Sequence, residues 1–161
     1  MNTGQMLITM GAMFLLGIVI IRVNTGFSNT STVLMDSKFA ILGVSLANST
    51  IEEANALAFD EKTDSNTISN MSNLSHLGPD GGESYGNFDD FDDFDGLVKI
   101  DSSMPSAIFK IECKVDYVDD INPDSALGTN SWNKRLRVTV TSESLLDTIE
   151  MSSIYSYFYF R

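Results

Sequence analysis

The first part of the chain is almost entirely apolar, and this pattern predicts a membrane-spanning helix. Between residues 6 and 21 the only distinctly polar side chain is Thr9, and Arg22 ends the run. At about 1.5 Å per residue the helix would reach about 24 Å, against about 30 Å for the hydrocarbon core of a bilayer. Arg22 and Val23 extend the span, because a long basic side chain can reach back to the lipid headgroups. The run is therefore long enough for a membrane anchor.

Three interpretations of this apolar run are open. A cleaved signal peptide normally has a basic start and a small-x-small cleavage site, and residues 1–28 contain neither. A permanent anchor requires only the apolar length. In a leader of the pilin type, a short peptide ending in glycine is removed and the apolar helix is kept, which would place the cut after Gly4. The sequence of the run favours the last two interpretations over the first.

The next region predicts a polar break, an amphipathic helix and a long loop. Residues 24–31 (NTGFSNTS) have the composition of a turn. From about 32 to 58, apolar residues recur every three to five positions, which predicts a helix with one apolar face. Gly43 lies within it and weakens it by about 1 kcal/mol relative to alanine. Residues 59–96 are rich in Asn, Ser, Gly and Asp and predict a loop. The expected apolar face consists of Val33, Leu34, Phe39, Leu42, Leu46, Ile51, Ala54 and Leu57.

The remaining residues, 97–160, predict an antiparallel sheet, because apolar and polar side chains alternate along them. A short polar connection makes the last two strands a hairpin. The predicted fold class is therefore α+β, with one long N-terminal helix, half membrane-spanning and half amphipathic, packed on a small antiparallel sheet. Strands are expected at residues 97–100, 108–117, 135–141 and 148–160.

Composition excludes several classes of function. The 161 residues include 22 acidic and 10 basic side chains, for a net charge of −12, so we expect no electrostatic binding of nucleic acid. The single cysteine, Cys113, cannot form an internal disulfide, and its alternating neighbours indicate a small buried apolar residue. No catalytic triad, glycine-rich phosphate loop or pair of histidines is present. We therefore expect no enzyme activity.

The densest candidate site is an aspartate cluster at residues 88–96 (FDDFDDFDG). Calcium takes about six to eight oxygen ligands, so these carboxylates are candidate calcium ligands. The EF-hand spacing is not met, because Phe91 and Ser102 occupy its first and last ligand positions. The favoured alternative is a helical or 3₁₀ turn, in which phenylalanines at every third position enter the core while the aspartates cap backbone amides and face water. No other cofactor is expected. The candidate ligands are Asp89, Asp90, Asp92, Asp93 and Asp95.

The order of these elements resembles the type IV pilin and type II secretion pseudopilin superfamily. The common order is a short leader ending in glycine, an apolar helix, an amphipathic helix, a loop and an antiparallel sheet. Residues 88–96 are similar to the D-D-x-x-D-[FY]-x-G turn of minor pilin-like proteins, including those of the MSHA type. Residues 134–158 (KRLRVTVTSESLLDTIEMSSIYSYF) are similar to the last hairpin of such proteins.

The resemblance implies a non-enzymatic structural subunit, a minor pilin or pseudopilin of a type IV pilus-like filament or a type II secretion-like apparatus. The chain would be a single-pass precursor in a bacterial inner membrane, with residues 24–161 as an extracytoplasmic domain that reaches the cell surface within a filament. A prepilin peptidase would remove residues 1–4 by cutting after Gly4, leaving Gln5 as a methylated N-terminus and residues 5–23 as the assembly helix. Its partners would be other pilin or pseudopilin subunits and assembly-platform proteins.

Thr9 decides which kind of subunit the resemblance implies. In the family, the fifth residue after the cut is normally a glutamate that guides assembly, and here this position is Thr9. A minor or tip-located subunit is therefore implied rather than a major one. The alternative function is a single-pass, membrane-anchored extracytoplasmic binding domain that uses the aspartate cluster to bind calcium and does not polymerise.

Overall fold

The computed structural model describes residues 2–63 and 67–158 and has α+β architecture. One long helix, α1 (Thr3–Asn55), precedes a four-stranded antiparallel sheet. The chain divides into two compact units, Met1–Lys38 and Phe39–Arg161, and α1 contributes residues to both. The predicted fold class is confirmed at this level.

In the first unit, α1 is long and apolar enough to cross a membrane, and none of its most apolar window is buried. The polar break predicted at residues 24–31 is wrong, because α1 continues through this segment. The side chains of Thr25, Thr30 and Thr32 each donate a hydrogen bond of 2.9–3.1 Å to the carbonyl four residues earlier. The helix itself therefore satisfies the polar groups that a turn would otherwise accommodate.

The sheet lies in the second unit, and its strands follow one another in sequence order. The four predicted strands are confirmed with small shifts of their ends, as is the hairpin formed by the last two. Residues 159 and 160, expected at the end of the last strand, lie outside the described part of the chain. Cys113 is buried in the sheet as predicted, and burial raises the pKa of its thiol to about 12. The strands are β1 (Val98–Asp101), β2 (Phe109–Tyr117), β3 (Asn133–Thr141) and β4 (Ile149–Ser156).

The last part of α1 packs on the buried face of this sheet. Ala47, Ile51 and Ala54 are buried in the same apolar cluster as the inward side chains of β2 and β3. The predicted apolar face is confirmed in this part of the helix, whereas Val33 and Leu34 are exposed. The helix ends at Asn55, three residues before the predicted end.

Gly43 lies where α1 contacts the β3–β4 hairpin. A Cβ atom at this position would lie 2.6 Å from Cδ1 of Ile149 and 3.6 Å from Cδ1 of Leu145. Leu145 lies in the connection between β3 and β4, and Ile149 is the first residue of β4. The absence of a side chain at Gly43 therefore lets the helix lie against that strand. The glycine that weakens the helix locally therefore has a packing role in the tertiary structure.

Candidate functional site

The aspartate cluster forms a tight turn whose phenylalanines enter the core. Residues 92–94 form a 3₁₀ turn, as the alternative to metal binding predicted. Phe91 and Phe94 are fully buried, and Phe88 packs against the same cluster. Phe91 is the residue before the 3₁₀ turn and Phe94 is its last residue, and this spacing of three brings both rings to the apolar interior.

The carboxylates of this turn cap backbone amides. Asp90 Oδ1 accepts hydrogen bonds from the amides of Asp92 and Asp93, at 2.9 and 3.1 Å. Asp93 Oδ2 accepts from the amides of Asp89 and Asp90, at 3.0 and 3.2 Å. Asp95 Oδ1 accepts from an amide of β2 at 2.9 Å. The predicted capping role is therefore confirmed for these three side chains.

The expectation that these aspartates face water is wrong for three of them. Asp90, Asp92 and Asp93 are 1–3% exposed. The phenylalanines draw the turn into the interior, and the carboxylates between them are buried as a result. Burial of several carboxylates is costly unless a cation or hydrogen-bond donors compensate the charge. The amide caps supply part of this compensation, and a buried lysine supplies a further part.

That lysine is Lys134, whose side chain is fully buried between two carboxylates. Its Nζ donates hydrogen bonds to Oδ1 of Asp60 at 2.9 Å, to the carbonyl of Phe59 at 2.8 Å and to Oδ1 of Asp92. The ring centroid of Phe59 lies 4.5 Å from Nζ, and that of Tyr117 lies 5.6 Å away. We call Lys134, Asp60 and Asp92 the buried triad. It is closed to water and contains one cation for two acids.

Three separate segments build the triad. Asp60 follows the end of α1, Asp92 is in the 3₁₀ turn and Lys134 is in β3. A short parallel bridge between Ala58 and Asp90 holds the first two segments side by side. Both acids are thereby brought to the same lysine, which points inward from the sheet.

Sequence reasoning missed Lys134 and Asp60, although one signal was present. In β3 every second side chain points inward. Lys134 lies on the same side of the strand as Leu136 and Val138, both of which are fully buried. A lysine in an inward register requires buried acids nearby. The alternation could therefore have predicted an internal ion pair, but it could not have named the partners.

The two acids of the triad have opposite pKa shifts. Burial raises the pKa of Asp60, but the charge of Lys134 and hydrogen bonds from Lys134 and Ser75 outweigh it, so the net pKa is below its usual value of 3.8. Burial raises the pKa of Asp92 to about 8, because the attraction of Lys134 offsets only part of the burial cost and the neighbouring Asp90 adds repulsion. Asp60 is therefore the ionised member of the triad.

Tyr117 carries a buried hydroxyl beside the triad. Among the described residues the hydroxyl has no hydrogen-bond partner. Burial raises the pKa of Tyr117, and the charges of Asp92 and Asp60 raise it further. An unsatisfied hydroxyl in this position costs stability.

Two groups of carboxylates meet beside the turn, and each contains one buried aspartate. Glu61 and Asp90 meet Asp89 in one group, and Glu83 and Asp93 meet it in the other, with the ligand oxygens of each group within 4.8 Å of one another. Repulsion from Asp89 is the main cause of a raised pKa at Glu61. Both glutamates lie outside the cluster at residues 88–96, Glu61 well before it and Glu83 in the loop just before it, and the aspartate pattern did not identify them.

The remaining calcium candidates have other contacts. Asp92 pairs with the buried lysine, and Asp95 is bonded to the amide of Val115. Of the five predicted ligands, Asp89, Asp90 and Asp93 belong to the two carboxylate groups.

The residues predicted for processing and assembly lie at the start of α1. Gly4 and Gln5 are in its first turn, where the amide of Gln5 donates to the carbonyl of Asn2 at 2.9 Å. Apart from its chain neighbours and the backbone of its own helix, no atom of the described residues lies within 4 Å of the position that a Cβ of Gly4 would take. The Thr9 hydroxyl donates to the carbonyl of Met6 at 2.9 Å.

No family model matches the chain, and no curated protein or solved structure is significantly similar to it.

Proposed function

We propose that the chain is a minor pilin or pseudopilin, a structural subunit without enzyme activity. The observation that supports this most directly is the composition of α1 (Thr3–Asn55). It is apolar enough to cross a membrane in its first part and is packed on an antiparallel sheet in its last part.

The exposure of the apolar part supports an assembly role. Leu7, Phe14 and Ile21 are each about two-thirds or more exposed in the isolated chain. Apolar surface of this extent requires lipid or the helices of neighbouring subunits around it. Thr9 is compatible with both environments, because its hydroxyl is bonded within the helix. In this proposal the helix first lies in a bacterial inner membrane and then packs among other subunits.

Processing gives the sharpest test. We expect a prepilin peptidase to cut between Gly4 and Gln5, so the protein recovered from host membranes should begin with a methylated Gln5. Gly4→Leu should block the cut, because a bulky side chain would be introduced at the cleavage site. Gly11→Leu is the matched control: this glycine also has free space around it, but it is distant from the cut.

The measurements are the intact mass and the N-terminal residue of each protein. A wild-type chain that still begins at Met1, or a Gly4→Leu chain that is cut normally, would contradict the proposal. A start near Phe27 would instead indicate a cleaved signal peptide.

The carboxylate groups at Asp89 support a second candidate function, a membrane-anchored extracytoplasmic binding domain that takes up calcium and does not polymerise. Glu61 and Glu83 each bring an additional acid to Asp89, and a cation would relieve the repulsion among them. Calorimetric titration of the detergent-solubilised chain with calcium tests this function. Asp89→Asn should abolish the heat of binding, while Asp120→Asn in the exposed loop should not. A wild-type chain that shows no heat at millimolar calcium excludes it.

A further inference from the structure

We propose that Lys134 and Asp92 form an intramolecular isopeptide bond, with Asp60 accepting the proton from the amine. This inference concerns the buried triad alone and does not depend on the proposed function.

The geometry places the reacting groups together without water. Nζ of Lys134 contacts Oδ1 of Asp92 and lies 2.9 Å from Oδ1 of Asp60. The three side chains are 0–1% exposed, and the aromatic rings of Phe59 and Tyr117 lie beside the nitrogen. Holding an amine against a carboxyl group converts amide formation into an intramolecular step with a large effective concentration. Excluding bulk water removes the hydrolysis that opposes amides in solution.

The two acids have different partners, and this assigns their roles. The carboxylate of Asp60 also accepts hydrogen bonds from the amide and the hydroxyl of Ser75, at 2.9–3.2 Å. These donors stabilise a negative charge on Asp60 and hold it in place as the proton acceptor. Among the described residues, the carboxyl group of Asp92 contacts Lys134 and the side chain of Asp90 and accepts no hydrogen bond from a backbone amide. Asp92 is therefore the carboxyl group that the amine attacks.

The reaction balances without an external reagent. One proton passes from the ammonium group of Lys134 to the carboxylate of Asp60, which leaves a neutral amine. Nζ then forms a bond to Cγ of the protonated Asp92, and the C–O bond to its hydroxyl group breaks. The hydroxyl leaves as water with a second proton from the nitrogen. The products are an amide, one water molecule and a protonated Asp60, and no oxidation or reduction occurs.

Charge also favours the product. Two carboxyl groups share one ammonium group in a site closed to water, and burying ions is expensive even when they are paired. The amide is neutral, so the bond removes an ammonium group and an acid from the interior. It would also join β3 covalently to the turn at residues 88–96, two segments that are otherwise connected through a long stretch of chain.

The test is the mass of the purified full chain under denaturing conditions, calculated from its observed N-terminus. We expect the wild-type protein to be one water lighter than its sequence. After proteolysis, a branched peptide should contain both Lys134 and Asp92. A wild-type chain at full mass overturns the proposal, and this result does not depend on whether any variant folds.

Variants and a second possible source of water loss complete the test. Lys134→Arg and Asp60→Asn should restore the full mass, whereas Lys114→Arg, at an ion pair on the exposed face of the sheet, should remain one water lighter. Succinimide formation at an Asp-Gly sequence also removes one water. A loss that maps to Asp80 or Asp95, or that disappears on mild alkaline hydrolysis, would overturn the proposal.

Discussion

The sign of the effect of Gly43→Ala on stability should depend on the residue at position 149. In an isolated helix this substitution stabilises by about 1 kcal/mol. Here the new Cβ would lie 2.6 Å from Cδ1 of Ile149, and Cδ1 of Leu145 lies 3.6 Å from the same point. Cδ1 of Ile149, which is partly buried, must therefore move away, and overpacking of this kind costs about 1–3 kcal/mol. We expect a net loss of about 1 kcal/mol in the free energy of unfolding.

Ile149→Val removes the conflicting atom. The nearest remaining atom of that side chain is Cγ1, at 3.8 Å from the position that the new Cβ would take, which is an ordinary contact distance. Alone, Ile149→Val should cost about 1 kcal/mol for the lost methyl group. In the Ile149→Val background, Gly43→Ala should instead stabilise by about 1 kcal/mol, because the helix propensity is gained without the conflict. The coupling between the two sites should be about 2 kcal/mol.

Urea denaturation of the chain in mild detergent measures these differences. The single tryptophan, Trp132, stacks on Tyr157 with ring centroids 5.0 Å apart, so its fluorescence reports on the packing of the second unit. The four proteins of the cycle give the coupling directly. If Gly43→Ala has the same sign and size in both backgrounds, the close approach of α1 to β4 does not limit this site and the reasoning is refuted.

Three further predictions concern the buried triad and its surroundings. Lys134→Met should lower the free energy of unfolding by at least about 3 kcal/mol, because it leaves two buried acids without the lysine that neutralises them by ion pairing or by the amide. Lys114→Met, at a lysine that is mostly exposed, should cost less than about 1 kcal/mol, and equal losses in urea denaturation would contradict this. Tyr117→Phe should raise the melting temperature, because it removes a buried hydroxyl that lacks a partner among the described residues, and a lower melting temperature would indicate an unseen partner. While Lys134 keeps its charge, the pKa of Asp60 lies below its usual value of 3.8, and the resulting stability is present above pH 3.8 and is lost as the pH falls through the folded-state pKa. In the Asp92→Ala background, which cannot form the amide, Asp60→Asn should therefore make the acid decline in the free energy of unfolding shallower, and an unchanged decline would show that Asp60 does not contribute.

Local sequence patterns predicted the helix, the turn and the strands, because each of these elements depends on residues that are close together in the sequence. The apolar run around Thr9 predicted the apolar segment of α1, and strict alternation predicted β2 and β3. The spacing of Phe88, Phe91 and Phe94 predicted the 3₁₀ turn and its buried rings. The prediction of a break at residues 24–31 was wrong because it took the polar residues as a sign of a turn. The threonine hydroxyl groups instead donate hydrogen bonds to carbonyls of the same helix.

Side-chain periodicity and composition determined the order of helix, turn and strands, since each depends on neighbours within a few residues. The tertiary structure alone decided which charges meet: Lys134 is 74 residues from Asp60 and 42 residues from Asp92. It also decided that Gly43 faces β4, a contact that no neighbouring residue reveals. The physical reason is that the effect of a buried charge, or of a missing side chain, depends on the atoms around it in space. Those atoms are brought together by the packing of the helix, the turn and the sheet.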